Sequence, residues 1–247
     1  MDTRKLLAEA VGTFVLVGIG SMSILAATVG GLPVLLTVPF GFGFALLAAI
    51  AIAGHASGGH FNPAVTLAAW LDRRIGLGDA VGYVVAQAVG AIAASGLILG
   101  LVSQTAVAAT RTLPGDTELQ AFGMEVMLTA VFIAVILTVT KSAASQAGFI
   151  IPITLVVIHF AGIPFSGASV NPTRSLAPAL VGADMTSLWV YLTAPFLGAV
   201  IGWLVFRALD AGSDSADATE DTSEDQAEGA ADEVATEPAG ETEPAGG

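Results

Sequence analysis

Cysteine is absent from the sequence and ionisable residues are scarce: charged residues make up 12% of the 247, and His occurs three times. The absence of cysteine excludes disulfides, thiol chemistry and cysteine metal sites. The sequence also has no closely spaced pair of carboxylates and no glycine-rich phosphate loop after a strand, which leaves little for an enzyme to use. We therefore expect no catalytic residues, no cofactor, no bound metal and no nucleic-acid partner.

Apolar residues, by contrast, make up 54% of the chain, and the mean hydropathy is +0.80. This is more apolar than a soluble domain requires, so the composition indicates an integral membrane protein. A bilayer core needs about 20 apolar residues per helix. Six stretches are long enough, at residues 6–28, 33–52, 80–102, 119–140, 149–165 and 187–209. We expect an all-α membrane protein whose six transmembrane helices lie in one domain, residues 1–209.

The remaining segment, residues 210–247, has a different composition. It holds 13 of the 21 acidic residues, no Lys or Arg, and almost no large apolar side chains. Such a segment cannot bury enough apolar surface to offset the entropy lost on ordering. We predict an acidic, disordered tail and look for the function before residue 210.

Basic residues indicate the orientation of the spans. Those at the ends of the spans fall almost all on one side, and they are Arg4, Lys5, Arg73, Arg74, Lys141 and Arg207. Only Arg111 lies in a loop on the other side. By the positive-inside rule both termini are cytoplasmic, which predicts a multi-pass protein of the cell (plasma) membrane. A cleaved leader peptide is the alternative for the first run, but Glu9 interrupts that run and no clear cleavage site follows.

Two apolar segments, 62–71 and 171–181, are too short to span. Each begins with an Asn-Pro pair, in GGHFNPAVT at 58–66 and in GASVNPTRS at 167–175. Asn is a favoured N-cap and Pro a favoured first helical residue, so Asn62-Pro63 and Asn171-Pro172 predict helix starts. At 1.5 Å per residue each helix is about 15 Å long, half of the bilayer core.

A helix start in mid-membrane leaves irregular backbone before it, which is tolerated only where that backbone is buried or lines a watery cavity. We therefore predict a pore lined by the carbonyls that precede the two Asn-Pro pairs. These belong to Gly58, Gly59, His60, Gly167, Ala168 and Ser169.

An internal repeat supports this interpretation. Glu9 in AEAVGTFVLV parallels Glu125 in MEVMLTAVF, and Asn62 parallels Asn171. Repeat one covers about residues 4–102 and repeat two about 119–209. Each holds three spans, an odd number, so the second copy runs inverted in the membrane. The two half-helices then enter from opposite faces and meet, N-terminus to N-terminus, near the midplane.

These features resemble one family, the aquaporins or major intrinsic proteins, over about residues 4–209, and within it the prokaryotic water channels. SGGHFNPAVT is identical to the family's first signature, whereas SVNPTRS departs from the second, with Thr173 where Ala is usual. The midplane motifs are thus Asn62-Pro63-Ala64 and Asn171-Pro172-Thr173. Thr173 adds a hydroxyl and a methyl group where they bear on the packing of the two Pro rings and on pore width.

The resemblance also implies a selectivity filter and roles for its residues. By spacing from the motifs, the filter is Phe42, His159, Ala168 and Arg174, a set that resembles the narrow, water-selective form. Arg174 would donate hydrogen bonds to water and repel cations. The two Asn side chains would hold a midplane water by their N–H groups, and the positive half-helix ends would oppose cations. Glu9 and Glu125 would accept hydrogen bonds from the irregular backbone.

The function implied is a passive pore for single-file water in a lipid bilayer, assembled as a homotetramer. A broader pore is the alternative within this class, passing glycerol, ammonia, carbon dioxide or peroxide, because Ala168 is small and Thr173 is unusual. A third hypothesis is an ion-coupled secondary transporter with Glu9 or Glu125 as its proton site. For Arg174 the alternative to a place in the filter is that its side chain snorkels to the extracellular interface.

Overall fold

The computed structural model describes the backbone of residues 2–235 and the side chains of residues 2–211. Residues Met1–Phe206 form one compact unit and Arg207–Gly247 a second. In the first unit all the regular structure is helical, and six helices of the described chain are long and apolar enough to cross a membrane. The six predicted spans and the all-α fold are therefore confirmed.

The helices follow one another in two similar groups. Their bounds are α1 Thr3–Gly30, α2 Val34–Ala49, α3 Pro63–Leu71, α4 Leu77–Leu101, α5 Gln104–Ala109, α6 Glu118–Ser142, α7 Ala144–Ser166, α8 Pro172–Val181 and α9 Leu188–Ala235. The two groups are α1–α4 and α6–α9, with the short helix α5 between them. α2 continues through a π-helical segment, Ile50–Gly54, and a last turn, His55–Ser57. The second span therefore extends beyond the predicted 33–52, because the widened turn carries the helix past the end of the apolar run.

Within α9 the span proper is Leu188–Ala211. The helix continues to Ala235 and so includes part of the segment that we predicted as an acidic tail, 210–247. Residues 236–247 lie outside the described part of the chain. The disorder of the tail stays a prediction.

The ends of the spans carry the caps that their sequences indicate. Asp2 accepts a hydrogen bond from the Arg4 N–H at the start of α1 (2.9 Å), and Thr117 accepts one from the Gln120 N–H at the start of α6 (3.1 Å). The outward-facing sides of the spans are apolar, and Leu7, Val29 and Leu119 are each more than half exposed. A helix satisfies its own backbone groups, so such faces suit lipid.

Two glycines allow the long helices of each group to pack closely. A Cβ on Gly90 of α4 would lie 2.1 Å from the Ala10 carbonyl oxygen of α1. A Cβ on Gly198 of α9 would lie 2.6 Å from the Val126 carbonyl oxygen of α6. The same contact in both groups confirms the duplicated arrangement, three spans and one half-helix in each, that the sequence predicts.

Candidate functional site

The two half-helices, α3 and α8, begin at the predicted Asn-Pro pairs. The Asn62 side-chain oxygen accepts a hydrogen bond from the Ala64 N–H (2.9 Å), and the Asn171 oxygen accepts one from the Thr173 N–H (3.1 Å). Both Asn residues have extended backbone, and Pro is the first helical residue in each case. The Asn62 cap thus satisfies one orphan donor of a helix that starts inside the protein, and the Asn171 cap, which also accepts from the Arg174 N–H (3.4 Å), satisfies two.

The two Asn side chains also tie the half-helices to each other. The Asn62 Nδ2 donates to the Val170 carbonyl (2.7 Å), and the Asn171 Nδ2 donates to the Phe61 carbonyl (2.9 Å). This reciprocal pair brings the helix N-termini together, as the inverted repeat predicts. A side-chain amide has two N–H groups, so each Asn keeps one donor. The sequence predicts that the N–H groups of each Asn side chain serve a permeant water. In the structure only one N–H group of each Asn is left for this role.

The backbone before each half-helix adopts left-handed conformations that side chains rarely take. Phe61 and Val170 have φ of 49° and 46°, and Ala168 has φ of 49°. Such a conformation costs about 1–2 kcal/mol per residue, because the Cβ approaches the following carbonyl oxygen. Both loops therefore need strong hydrogen bonds to hold them.

A buried glutamate supplies these bonds in repeat one. One Glu9 oxygen accepts from the Ser57 hydroxyl (2.6 Å) and the His60 N–H (3.0 Å). The other accepts from the Phe61 N–H (2.8 Å) and the Gln87 side-chain amide (2.7 Å). All four partners are donors, so the carboxylate fixes the irregular backbone directly.

Glu125 does the same in repeat two with three donors. One oxygen accepts from the Ser166 hydroxyl (2.8 Å) and the Ser169 N–H (2.7 Å), and the other accepts from the Val170 N–H (2.7 Å). Like Glu9, it is fully buried. The structure therefore places both glutamates where the sequence analysis expects them, against the two loops.

Sequence reasoning missed two residue pairs that complete these frames. Ser57 and Ser166 donate to the glutamates, and the hydroxyls of Tyr83 and Tyr191 donate to the carbonyls of those same serines, 2.8 Å in both repeats. Both pairs fall at corresponding positions of the repeat. Extending the repeat alignment beyond the motifs would have identified them.

A cavity of about 380 Å³ runs past the two Asn residues. Phe42, His159 and Arg174 are among the residues that line it, and so are Lys5 and Arg74. Of the predicted pore-lining residues, four contribute, and they are Gly58, Gly59, His60 and Ser169. Gly167 and Ala168 do not line this cavity, and neither glutamate does.

The predicted filter residues Phe42, His159 and Arg174 form one cluster. The rings of Phe42 and His159 are nearly parallel, 4.8 Å apart, and the Arg174 guanidinium carbon lies 4.7 Å from the centre of the Phe42 ring. All three side chains are buried. Ala168, the fourth predicted member, is also buried, but its Cβ lies beside Gly162 of α7. The structure thus brings three of the four together.

Arg174 is held by a loop that sequence reasoning missed. Its Nη1 donates to the Thr110 carbonyl (3.3 Å) and to the Thr112 hydroxyl. Both threonines lie between α5 and α6, outside the duplicated motifs, so the repeat gives no sign of them. Because the side chain is 4% exposed and its Nη1 donates two hydrogen bonds to buried threonines, it does not snorkel to an interface.

Thr173, the departure from the usual motif, turns its hydroxyl away from the cavity. The hydroxyl donates to the Asn171 side-chain oxygen (2.9 Å), which also accepts from the Thr173 and Arg174 N–H groups. Thr173 does not line the cavity. The effect on pore width considered from the sequence therefore does not arise from a side chain projecting into this cavity.

Comparisons with known proteins agree with this arrangement. The family model described as Major intrinsic protein matches residues 1–206. The chain belongs to this family. Among its relatives, glycerol uptake facilitator protein-like 6 of Lactiplantibacillus plantarum is 38% identical over 83% of this chain and 98% of the relative. Aquaporin Z of Rhodopseudomonas palustris is 37% identical over 85% of this chain and 94% of the relative.

A solved structure shares the fold. The aquaglyceroporin of Plasmodium falciparum superposes with a TM-score of 0.72 at 24% identity, covering 83% of this chain and 95% of that one. Major intrinsic proteins are channels and not enzymes, so this chain is a multi-pass membrane channel with the aquaporin fold. The expected family, fold and absence of enzyme activity are confirmed.

Proposed function

We propose that the channel passes water in single file and excludes glycerol, ions and protons. The observation that carries this proposal is the tight cluster of Phe42, His159 and Arg174 beside the cavity. The Phe42 and His159 rings stack 4.8 Å apart and the Arg174 guanidinium carbon lies 4.7 Å from the centre of the Phe42 ring, so the three side chains pack against one another and form one compact wall of the cavity. A three-carbon polyol needs a wider opening with a longer apolar wall.

The polar atoms of this cluster match the hydrogen bonds of one water. The His159 Nδ1 lies 2.9 Å from the Leu155 carbonyl, which only accepts, so Nδ1 carries the hydrogen and Nε2 of the neutral ring is an acceptor. Nε2 and the Arg174 Nε have no partner among the described residues, although both are buried. They offer a water one acceptor and one donor, which replaces part of its bulk hydration.

Proton exclusion follows from the two Asn side chains and the two helix N-termini that meet at the midplane. Each of Asn62 and Asn171 keeps one N–H after its bond across the helix junction, and both line the cavity. A water that accepts these hydrogen bonds turns its own hydrogens outwards, which breaks a proton wire at the centre. The two helix N-termini add about half a positive charge each. This is the general account of aquaporin selectivity applied to these residues.

A second candidate is a channel that also passes glycerol. It is favoured by names among the relatives, since the 38% identical protein of Lactiplantibacillus plantarum is a glycerol uptake facilitator protein-like protein. Against it stands the filter, where His159 stacks on Phe42 and fills space that a polyol requires. Ammonia, carbon dioxide and peroxide belong with this wider alternative.

The transporter hypothesis has less support. A proton site needs a carboxylate that reaches the permeation path, yet Glu9 and Glu125 do not line the cavity. Each is occupied by donors from the loop that it holds. We propose structural roles for both.

The experiment is stopped-flow light scattering on proteoliposomes, run with an impermeant osmolyte and then with glycerol. A water-selective channel gives fast shrinkage with a low activation energy and no glycerol reswelling above that of empty liposomes. Reswelling in glycerol would establish the second candidate. Water flux at the rate of empty liposomes, from folded protein, would contradict both.

We also propose a homotetramer in the plasma membrane with both termini cytoplasmic. The positions of Arg4 and Lys5 in the first turn of α1 and of Arg73 and Arg74 after α3 support this orientation. Light scattering coupled to gel filtration measures the assembly, and protease access to the acidic tail in intact spheroplasts measures the orientation. A monomer, or a tail cleaved from outside, would contradict the respective statement.

A further inference from the structure

A chain of buried hydroxyls leads from the filter arginine to the midplane. Thr112, Ser175 and Ser169 are 5%, 2% and 3% exposed. The Thr112 hydroxyl oxygen lies 2.7 Å from that of Ser175, which lies 2.6 Å from that of Ser169. The Ser169 hydroxyl lies 2.9 Å from the Asn171 carbonyl oxygen. The chain joins the α5–α6 loop, α8 and the loop before α8.

The contacts fix the direction of every hydrogen in this chain. A carbonyl oxygen only accepts, so the single hydrogen of Ser169 goes to Asn171. Ser175 must then donate to Ser169, and Thr112 must donate to Ser175. The Thr112 oxygen remains an acceptor, and the Arg174 guanidinium, which has only donors, bonds to it.

We propose that Thr112 and Ser175 are positioning residues that hold the Arg174 guanidinium beside the pore, and so set water permeability through the filter. The inference rests on the proposed function, in which Arg174 belongs to the filter. Hydroxyls that donate onward become better acceptors, so the bond from the charged guanidinium to Thr112 strengthens along the chain. Without it, Nη1 keeps only the longer bond to the Thr110 carbonyl, 3.3 Å.

The loop that carries Thr112 is itself held in place by an ion pair between Arg111 and Asp184. Between the two threonines, Arg111 forms an ion pair with the Asp184 carboxylate (2.5 Å) and donates to the Asp184 carbonyl (3.0 Å). Hydrogen bonds from Thr186 hold the pKa of the Asp184 carboxyl below its ordinary value, so the pair is charged at neutral pH. The loop that supports Arg174 is therefore held in place by Asp184, which follows the end of α8.

Repeat one contains a similar hydroxyl with no such function. Thr66 occupies the position of Ser175 and donates to the Asn62 carbonyl (3.1 Å), and Gln87 donates to it (2.9 Å). The residue before it is Val65, so no guanidinium is held there. The connection from hydroxyl chain to arginine belongs to repeat two alone.

The test uses full-length Thr112→Val in proteoliposomes, with Thr112→Ser to restore the hydroxyl. Thr129→Val is the matched control, because this buried Thr loses a hydroxyl without a partner among the described residues. We expect T112V to lower water permeability about threefold to tenfold, since an unheld guanidinium crosses the path after losing a charge-assisted bond. T112S should stay near wild type, and T129V should equal wild type.

The decisive arm repeats T112V in an Arg174→Val background. A positioning role predicts no further change there, whereas a merely structural role predicts the same loss in both backgrounds. T112V equal to T129V, or a loss that persists without Arg174, would overturn the inference. Should T112V not fold, Ser175→Ala carries the same test with an expected loss of about twofold; wild-type permeability in S175A would overturn it.

These outcomes are distinct from failure of the proposed function. If wild type conducts water and R174V alters glycerol or proton exclusion, while T112V and S175A behave as wild type, only the positioning inference fails. If R174V changes no permeability, the filter assignment fails first.

Discussion

The two repeats have the same frame and different chemistry. In each, a buried glutamate holds a loop, a serine and a tyrosine complete the frame, and an Asn caps a half-helix. The cation of the proposed filter, Arg174, lies in one repeat only, since Val65 occupies in α3 the position of Arg174 in α8. Duplication thus accounts for the scaffold that brings two helix starts together, and divergence accounts for the selectivity proposed for it.

The supports of the two loops also differ in strength. Glu9 accepts four hydrogen bonds and Glu125 three, because Gln87 has no counterpart amide where α9 carries Pro195. Repeat two compensates at the cap, where the Asn171 oxygen accepts three hydrogen bonds and the Asn62 oxygen one. The difference teaches that each half-helix start needs a similar total of donors, divided differently between glutamate and Asn.

Removing either glutamate should have the largest effect. Glu9→Ala removes the acceptor of four hydrogen bonds and Glu125→Ala the acceptor of three, so each should lower the free energy of unfolding by about 3–5 kcal/mol, with E9A the more severe. Thermal unfolding of the purified protein, followed by Trp fluorescence, measures both. The ranking fails if E125A melts lower than E9A, and wild-type melting for both would remove the supporting role.

Removing the caps should reverse that ranking. Asn171→Ala frees three donors and Asn62→Ala frees one, so we expect losses of about 2 and about 1 kcal/mol. Both variants also lose the bond across the helix junction and the midplane donor, which should raise proton leakage, measured with a pH-sensitive dye inside proteoliposomes. Equal melting temperatures would contradict the proposed division of donors between glutamate and cap.

Much of this frame follows from the sequence, because it is local or duplicated. Asn-Pro after irregular glycine-rich backbone predicts a capped helix start, and the structure places α3 and α8 at those residues. Glu9 and Glu125 are identified because each stands at the same place in its copy. Apolar length alone predicts the six spans, although it ends the second one at residue 52, inside the π-helical segment Ile50–Gly54, and not at Ser57.

Gln87→Ala tests the difference between the hydrogen bonds of Glu9 and Glu125, and its expected effect on stability is intermediate. The amide donates to Glu9 (2.7 Å) and to Thr66 (2.9 Å), so its loss should lower the free energy of unfolding by about 2 kcal/mol. The exposed Gln146→Ala provides the control, with no expected change. Equal melting of the two variants would show that Gln87 does not support the loop of repeat one.

Thr173→Ala should have the smallest effect. The hydroxyl adds one donor to an Asn171 oxygen that keeps two backbone donors, so we expect a loss below about 1 kcal/mol. Water permeability should match wild type, because Thr173 does not line the cavity. A change in glycerol uptake in T173A would contradict the orientation of this side chain.

Other parts of the site could not be predicted, since they depend on contacts between distant segments. Thr112 meets Arg174 from a loop outside both repeats, and no spacing rule connects them. The bond of Asn62 to the Val170 carbonyl requires the two loops to be packed together. The rotamer of Thr173 depends on which acceptor is nearest, and sequence gives the hydroxyl without its direction.

The central claim is that Arg174 and His159 of repeat two make the passage selective for water. The measurement is glycerol reswelling of proteoliposomes containing wild type, the double variant Arg174→Val with His159→Gly, or the repeat-one counterpart Val65→Ala. We predict reswelling above that of empty liposomes for the double variant alone, together with raised proton leakage. Glycerol uptake by wild type, or a correctly folded double variant that stays closed to glycerol, would contradict the account.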